Sequence, residues 1–265
     1  MNPSSTHDEK VRAVSRRQPQ WAIRILACCV GYLAAALPMG AEPVRVLLVT
    51  GQDHPAHRWI ETAPVLRQIL EADGRLEVCI TEDPHHLAAP TLDRYRLVLL
   101  HFMNWEQPGP GPAARENLRR FVERGGGLAG LHFACGAWHG EWPGFVELLG
   151  RIWHGPGPDK PQHDPRGPFP VRIADRAHPV THGISDFVTD DELYTCLEGT
   201  LPIDILAEAT SRIDGRAHPI AWVRTYGQGR VFFTTLGHDP KALTNAAVPR
   251  LLRQGCYWAA GLSEP

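Results

Sequence analysis

The feature that most constrains this chain is a series of short apolar runs separated by segments of helical periodicity. Val44 to Thr50 (VRVLLVT) is rich in β-branched residues and stops at Gly51. It reads as a strand buried on both faces. Trp59 to Ala72 carries Ile60, Ala63, Leu66, Ile69 and Leu70 at helical spacing and ends at Asp73-Gly74, a glycine stop. Leu76–Thr81 and Leu97–His101 read as strands, Ala113–Glu123 as an amphipathic helix halted by Gly125-Gly126-Gly127, and Leu128–Leu131 as a fourth strand. The order β-α-β-β-α-β, with strands apolar on both faces, predicts an open, mostly parallel sheet covered by helices on both sides.

Further strands are expected at Val171–Ile173, Leu193–Cys196, Ile205–Ala209, Ile220–Arg224 and Val231–Thr235. Helices are expected at Phe145–Leu149 and Val248–Ala260. Between Trp138 and Pro170 lies a long stretch rich in Gly, Pro, Trp and His, the kind of loop that in a compact domain usually serves function. The sequence shows no internal repeat and no linker after its N-terminal segment.

That segment reads as a signal peptide. Arg12, Arg16, Arg17 and Arg24 precede the uncharged run Ile25–Met39, and Gly40-Ala41 supplies small residues for cleavage. The run is short for a membrane span and suits an h-region, so the expectation is export, with residues 1–41 as signal and 42–265 as one domain. An uncleaved anchor is the alternative. The remaining cysteines, Cys79, Cys135, Cys196 and Cys256, are widely spaced and form no zinc or redox motif; export permits a disulfide, and plain burial is the simpler reading. The formal charge of −2 and the lack of a Lys/Arg run exclude a nucleic-acid partner.

Thirteen of the 14 histidines lie between His54 and His238, several just past a predicted strand end, where open α/β sheets bind ligands. Four groups stand out. Asp53 and His54 follow the first strand and suit acid/base, substrate-binding or metal-ligand roles. Gly130-Leu131-His132-Phe133-Ala134 has the shape of a nucleophile elbow, with His132 at the position of the nucleophile; an imidazole there suits proton transfer, a metal or a sugar hydroxyl. Asp190-Asp191-Glu192-Leu193-Tyr194 places three carboxylates in a row, which favours a nearby cation or a hydroxyl-rich ligand. Gly237-His238-Asp239 follows the Val231–Thr235 strand. Each group taken singly is also compatible with a capped or solvated turn.

The same groups carry a family resemblance. Gly125 to His132 (GGGLAGLH), Ala177-His178-Pro179-Val180-Thr181, Asp191-Glu192-Leu193-Tyr194, His218-Pro219-Ile220-Ala221-Trp222, Gly227 to Val231 (GQGRV) and Leu236-Gly237-His238-Asp239 occur in this order. Together, from Val44 to Gly261, they resemble the ThuA-like (trehalose-utilisation) family. The resemblance implies the class I glutamine amidotransferase-like fold, a flavodoxin-like three-layer α/β sandwich. It also implies a role in the use of disaccharides such as trehalose or their 3-keto derivatives. His132 in place of the amidotransferase cysteine argues against glutamine hydrolysis. The expected ligands of a divalent metal, zinc foremost, are His54, His132, Glu192 and His238. The expected catalytic residues are His132, Glu192, His238 and Asp239, with Asp53, His54, Asp191, Tyr194 and Trp222 binding substrate.

Three functions fit these residues. The first is a sugar-modifying isomerase, hydrolase or lyase, with Trp105, Trp138, Trp142 and Trp153 as candidates for stacking on a pyranose. The second is a non-catalytic sugar-binding module of a glycan-degrading system. The third is an amidohydrolase using Cys135 with His238 and Asp239. The expected partner is a small carbohydrate; a homo-oligomer is compatible, and no stable membrane span is expected after cleavage.

Overall fold

The computed structural model describes residues 42–52, 54–153, 161–245 and 247–263. Asp53 and the signal segment fall outside them.

Five strands pair in parallel: β1 (Val44–Val49), β2 (Leu76–Thr81), β3 (Leu97–Leu100), β4 (Gly127–Leu131) and β11 (Gly229–Thr234). Four more extend the sheet by antiparallel pairing: β10 (Ala217–Tyr226), β9 (Asp204–Thr210), β6 (Gly167–Ile173) and β7 (Phe187–Asp191). The order is β2-β1-β3-β4-β11-β10-β9-β6-β7. β5 (Gln162–His163) and β8 (Tyr194–Thr195) form a separate small ribbon.

The sheet is sandwiched between two helical layers, the expected three-layer α/β architecture. Helices α1 (Trp59–Glu71) and α5 (Val248–Ala260) bury Leu66, Leu70, Leu251 and Leu252 on one face together with Val46 and Leu99. α2 (Pro112–Glu123) and α3 (Phe145–Leu149) cover the other, where Leu118 and Leu148 pack with Leu47 and Val98. Apolar burial at helical spacing on one stripe per helix holds each against the sheet. The short α4 (Pro240–Leu243) follows β11. Among the described residues, no helix is long and apolar enough to cross a membrane.

Where the expected elements differ, the reason is local. The strand expected at Leu193–Cys196 shrinks to the two residues of β8, paired with β5 rather than with the main sheet. The residues before it, Phe187–Asp191, supply β7 instead; this edge strand alternates buried and exposed positions and so lacks a continuous apolar run.

β1 is flanked by β2 on one side and β3 on the other. The chain therefore switches direction across the sheet at β1, and the loops leaving β1 and β3 diverge to open a crevice at the carboxyl edge. Gly51 starts the first of these loops at φ +108°, with no room for a side chain: a Cβ there would lie 1.7 Å from the Glu82 carbonyl oxygen.

Candidate functional site

Four loops at the carboxyl edge deliver a histidine–carboxylate cluster. His57 comes from the loop after β1, His132 directly follows β4, Glu192 follows β7, and His238 follows β11. One ligand-capable atom from each lies within 4.8 Å of the others.

His132 sits at the sharp turn between β4 and a 3-10 turn, at φ +48°. A non-glycine residue in this left-handed region costs about 1–2 kcal/mol, and such strain gathers at functional sites. The expected elbow is thus present, and it presents an imidazole. His132 Nδ1 donates to the Thr235 carbonyl oxygen at 2.7 Å. Its Nε2 therefore faces the cluster, 3.0 Å from the Tyr194 hydroxyl, 3.1 Å from His238 Nδ1 and 3.5 Å from Glu192 Oε2. His238 Nδ1 lies 3.2 Å from the same Glu192 oxygen.

His57 is buried, its ring centroid 5.0 Å from those of both His132 and His238, and neither of its ring nitrogens has a hydrogen-bond partner. A buried imidazole with two unmet nitrogens calls for a missing ligand. Burial, aided by the neighbouring imidazoles of His132 and His238, pushes its pKa down to about 2, so it is neutral and able to donate a lone pair. Burial alone would raise the Glu192 carboxyl, but the hydrogen-bonding imidazoles of His132 and His238 outweigh it and hold Glu192 well below the usual carboxylate range. Burial works against protonation of His238, yet its bond to Glu192 leaves its pKa raised.

The cluster suits a divalent ion. A tetrahedral zinc site with bonds of about 2.0–2.1 Å places its ligands roughly 3.3 Å apart. The His132–His238, His238–Glu192 and His132–Glu192 separations of 3.1, 3.2 and 3.5 Å bracket that spacing. The Nδ1 bond of His132 to a carbonyl is the orienting contact a ligating histidine needs.

Several expected site residues take other places. His54 is not among the convergent donors; its Nδ1 accepts the Ala56 N–H at 3.2 Å, and its ring stacks on His57 at 5.5 Å. The turn between them carries His57 inward in its stead. Asp191 is fully buried and committed to the backbone: it accepts the Gly237 N–H at 2.7 Å, the Glu192 N–H at 2.8 Å and the His238 N–H at 3.3 Å. It fastens the loop that carries His238, where Gly237 stands at φ +114°. Asp239 is committed elsewhere too, capping α4 through the Ala242 N–H at 2.9 Å and pairing with Arg166. Trp222 is a core residue, wholly buried, stacked on Phe233 at 4.9 Å and donating its indole N–H to the Leu149 carbonyl. Tyr194 does join the site, its ring packed 4.5 Å from that of His132, and burial raises its hydroxyl pKa well above the usual range.

Of the loop tryptophans, Trp138 is buried in the core, and Trp142 packs edge-on against it at 5.0 Å. Trp153 stands edge-on to Tyr194 at 4.8 Å, and Trp105 keeps 41% of its surface exposed. Cys135 is buried, its thiol donates to the His132 carbonyl, and burial pushes its pKa up. Burial and a raised pKa both work against a thiolate nucleophile here. Behind the cluster, His101 is fully buried after β3, with Nε2 2.7 Å from the Thr62 hydroxyl.

The fold matches solved structures along most of its length. A ThuA-like protein from Parabacteroides merdae is 28% identical, with a TM-score of 0.74 over 84% of this chain and 92% of that one. A ThuA-like protein from Bacteroides uniformis is 19% identical, with a TM-score of 0.66 over 85% and 94%. The fold also resembles part of a β-galactosidase from Bacillus circulans, at 11% identity and a TM-score of 0.55 over 83% of this chain and 31% of that one. No functionally curated protein matches the chain. The family model for ThuA, described as trehalose utilisation, matches residues 45–259, and the chain belongs to that family.

Proposed function

We propose that this protein is a carbohydrate-modifying enzyme that holds a divalent cation, zinc by its donor set, on His57, His132, Glu192 and His238. The observation that carries the reading is His57, buried with both ring nitrogens unpartnered beside three further donors. Three imidazoles and one carboxylate form a donor set typical of zinc. Membership of a trehalose-utilisation family supports a sugar as substrate.

When bound on these four donors, such an ion would polarise a carbonyl or hydroxyl oxygen only by admitting it as a fifth ligand. The residues of the chain do the rest. His132 Nδ1 is committed to the Thr235 carbonyl, so Nε2 is the nitrogen aimed at the cluster. Glu192 stays ionised and lies 3.2 Å from His238 Nδ1, so both donors face the same point. Tyr194 stays protonated because it is buried, and its O–H, 3.0 Å from His132 Nε2, is a donor for a substrate oxygen. This set suits proton transfer next to a sugar carbonyl; whether it serves isomerisation, hydrolysis or elimination depends on the substrate.

The test is metal analysis followed by turnover. Purified protein is expected to carry about one equivalent of divalent metal, and His57→Ala should lose it. Trehalose and its 3-keto derivative are then followed by NMR with the metal-loaded protein. Conversion that stops in Glu192→Gln supports the enzyme. Sugar bound but unchanged after long incubation would make the protein a binding module, and metal-free protein with full activity would remove the ligand roles.

A further inference from the structure

We infer that the Tyr194 hydroxyl is a latch on the cluster: it holds His132 Nε2 in the metal-free protein and gives that nitrogen up when a cation binds there. This rests on the cation reading above. It adds the residue that competes with the cation and the means by which occupancy of the site frees a hydrogen-bond donor.

Three groups crowd His132 Nε2: the Tyr194 hydroxyl at 3.0 Å, His238 Nδ1 at 3.1 Å and Glu192 Oε2 at 3.5 Å. The last two belong to the donor set and stay beside a cation. A neutral phenol is not a usual ligand of such an ion. The other nitrogen of His132 is committed to the Thr235 carbonyl, so the ring cannot turn to offer a second face. Nε2 therefore serves the hydroxyl or the cation, whichever of the two atoms carries the proton they share. Among the described residues, the hydroxyl has no other hydrogen-bond partner.

The ring is fixed, so the latch works by rotation of the O–H alone. Tyr194 pairs with His163 across the β5–β8 ribbon, and the Leu193 carbonyl beside it accepts the Asp164 N–H at 2.9 Å. The phenol ring packs 4.5 Å from that of His132 on one side and 4.8 Å from that of Trp153 on the other. It cannot withdraw, and the C–O bond is the remaining free torsion. Burial, with the carboxylates of Glu192 and Asp191 nearby, raises the pKa of the hydroxyl, so the group keeps its proton once released. A buried donor without an acceptor is costly. An incoming substrate oxygen relieves that cost, so the cation arms Tyr194 for substrate.

The experiment titrates the metal-stripped full chain with zinc against a chromophoric chelator, in wild type and Tyr194→Phe. Phenylalanine keeps the ring packing and removes only the hydroxyl, so the variant should fold. Tyr194→Phe is expected to bind zinc about 2–10-fold more tightly, the scale of one competing hydrogen bond. In protein labelled with carbon-13 at the hydroxyl-bearing carbon of tyrosine, the NMR signal missing from Tyr194→Phe should shift in wild type as zinc is added. A residue that merely packs would leave zinc affinity unchanged. Equal affinities, or a Tyr194 signal unmoved by saturating zinc, overturn the inference. Weaker binding by Tyr194→Phe also overturns it and makes the hydroxyl a ligand. A wild type that takes up no zinc fails differently: it overturns the cation reading, and the latch with it.

Discussion

His132 Nδ1 lies 2.7 Å from the Thr235 carbonyl oxygen, tying the end of β4 to the end of β11 at the point where both strands enter the site. The bond does two jobs: it leaves Nε2 as the nitrogen aimed at the cluster, and it compensates a strained backbone. His132→Ala should abolish metal binding and turnover together. The apoprotein should lose only about 1–3 kcal/mol, the scale of one buried hydrogen bond left unmet. Metal titration and urea denaturation check both. A His132→Ala protein that still binds metal at wild-type affinity would sink the ligand assignment.

Asp191 acts through others. Its three backbone partners, Gly237, His238 and Glu192, set the positions of two of the four cluster residues. Asp191→Ala should cost about 3 kcal/mol or more, since bonds to a charged acceptor count about 1.5–3 kcal/mol each. It should also weaken metal binding by about 10–100-fold, as loss of an orienting group does. Equilibrium denaturation and metal competition assays measure the two effects. Unchanged values in both would show the loop to be held by other contacts.

The parallel half of the fold was legible because β1, β3 and β4 are apolar on both faces and end in glycine or histidine, leaving no competing pattern. The site was legible to the level of loops but not of side chains. His54 and His57 lie in one short turn, and only its closure, with the His57 N–H donating to the His54 carbonyl at 3.0 Å, decides which imidazole points inward. Asp191 and Glu192 are adjacent on a strand end and so part company, one under the loop and one into the cluster. Asp239 precedes Pro240, the Asp-Pro signature of a helix start, and that local signal competes with a catalytic reading.

Trp222 tests the distinction between core and site. Removing its fully buried indole in Trp222→Ala should cost about 3–5 kcal/mol. Sugar affinity per folded molecule should stay at the wild-type value, because the ring lies between Phe233 and Leu149 rather than at the cluster. Calorimetric melting and a sugar titration at a temperature where the variant is folded separate the two. A stable variant with lost sugar affinity would return Trp222 to the site.

The cysteines offer a direct check on the amidohydrolase alternative. All four described cysteines are free; Cys79 and Cys196 are half-buried, Cys135 and Cys256 buried. Native protein treated with iodoacetamide should be labelled at Cys79 or Cys196 and spared at Cys135, as mapped by mass spectrometry of peptides. Cys135→Ala should keep full activity. Rapid labelling of Cys135 with loss of turnover would instead favour a thiol nucleophile.

His101 predicts an acid-sensitive fold. Burial, with a smaller effect from the nearby His132, lowers its pKa to about 3. The folded protein therefore keeps this imidazole neutral, whereas the unfolded chain protonates it below about pH 6.5. Between those values the unfolded state holds the extra proton, so stability falls as pH falls, by up to about 1.4 kcal/mol per pH unit. From pH 7 to pH 5 the loss from this one residue is about 2 kcal/mol. The Thr62 hydroxyl has the carbonyls of Arg58 and Trp59 as alternative acceptors, so His101→Gln should fold. Urea midpoints of the metal-free protein at the two pH values, compared between wild type and His101→Gln, isolate the term. A pH dependence equally steep in the variant would mean that His101 is accessible to protons in the folded state and that burial does not govern its titration.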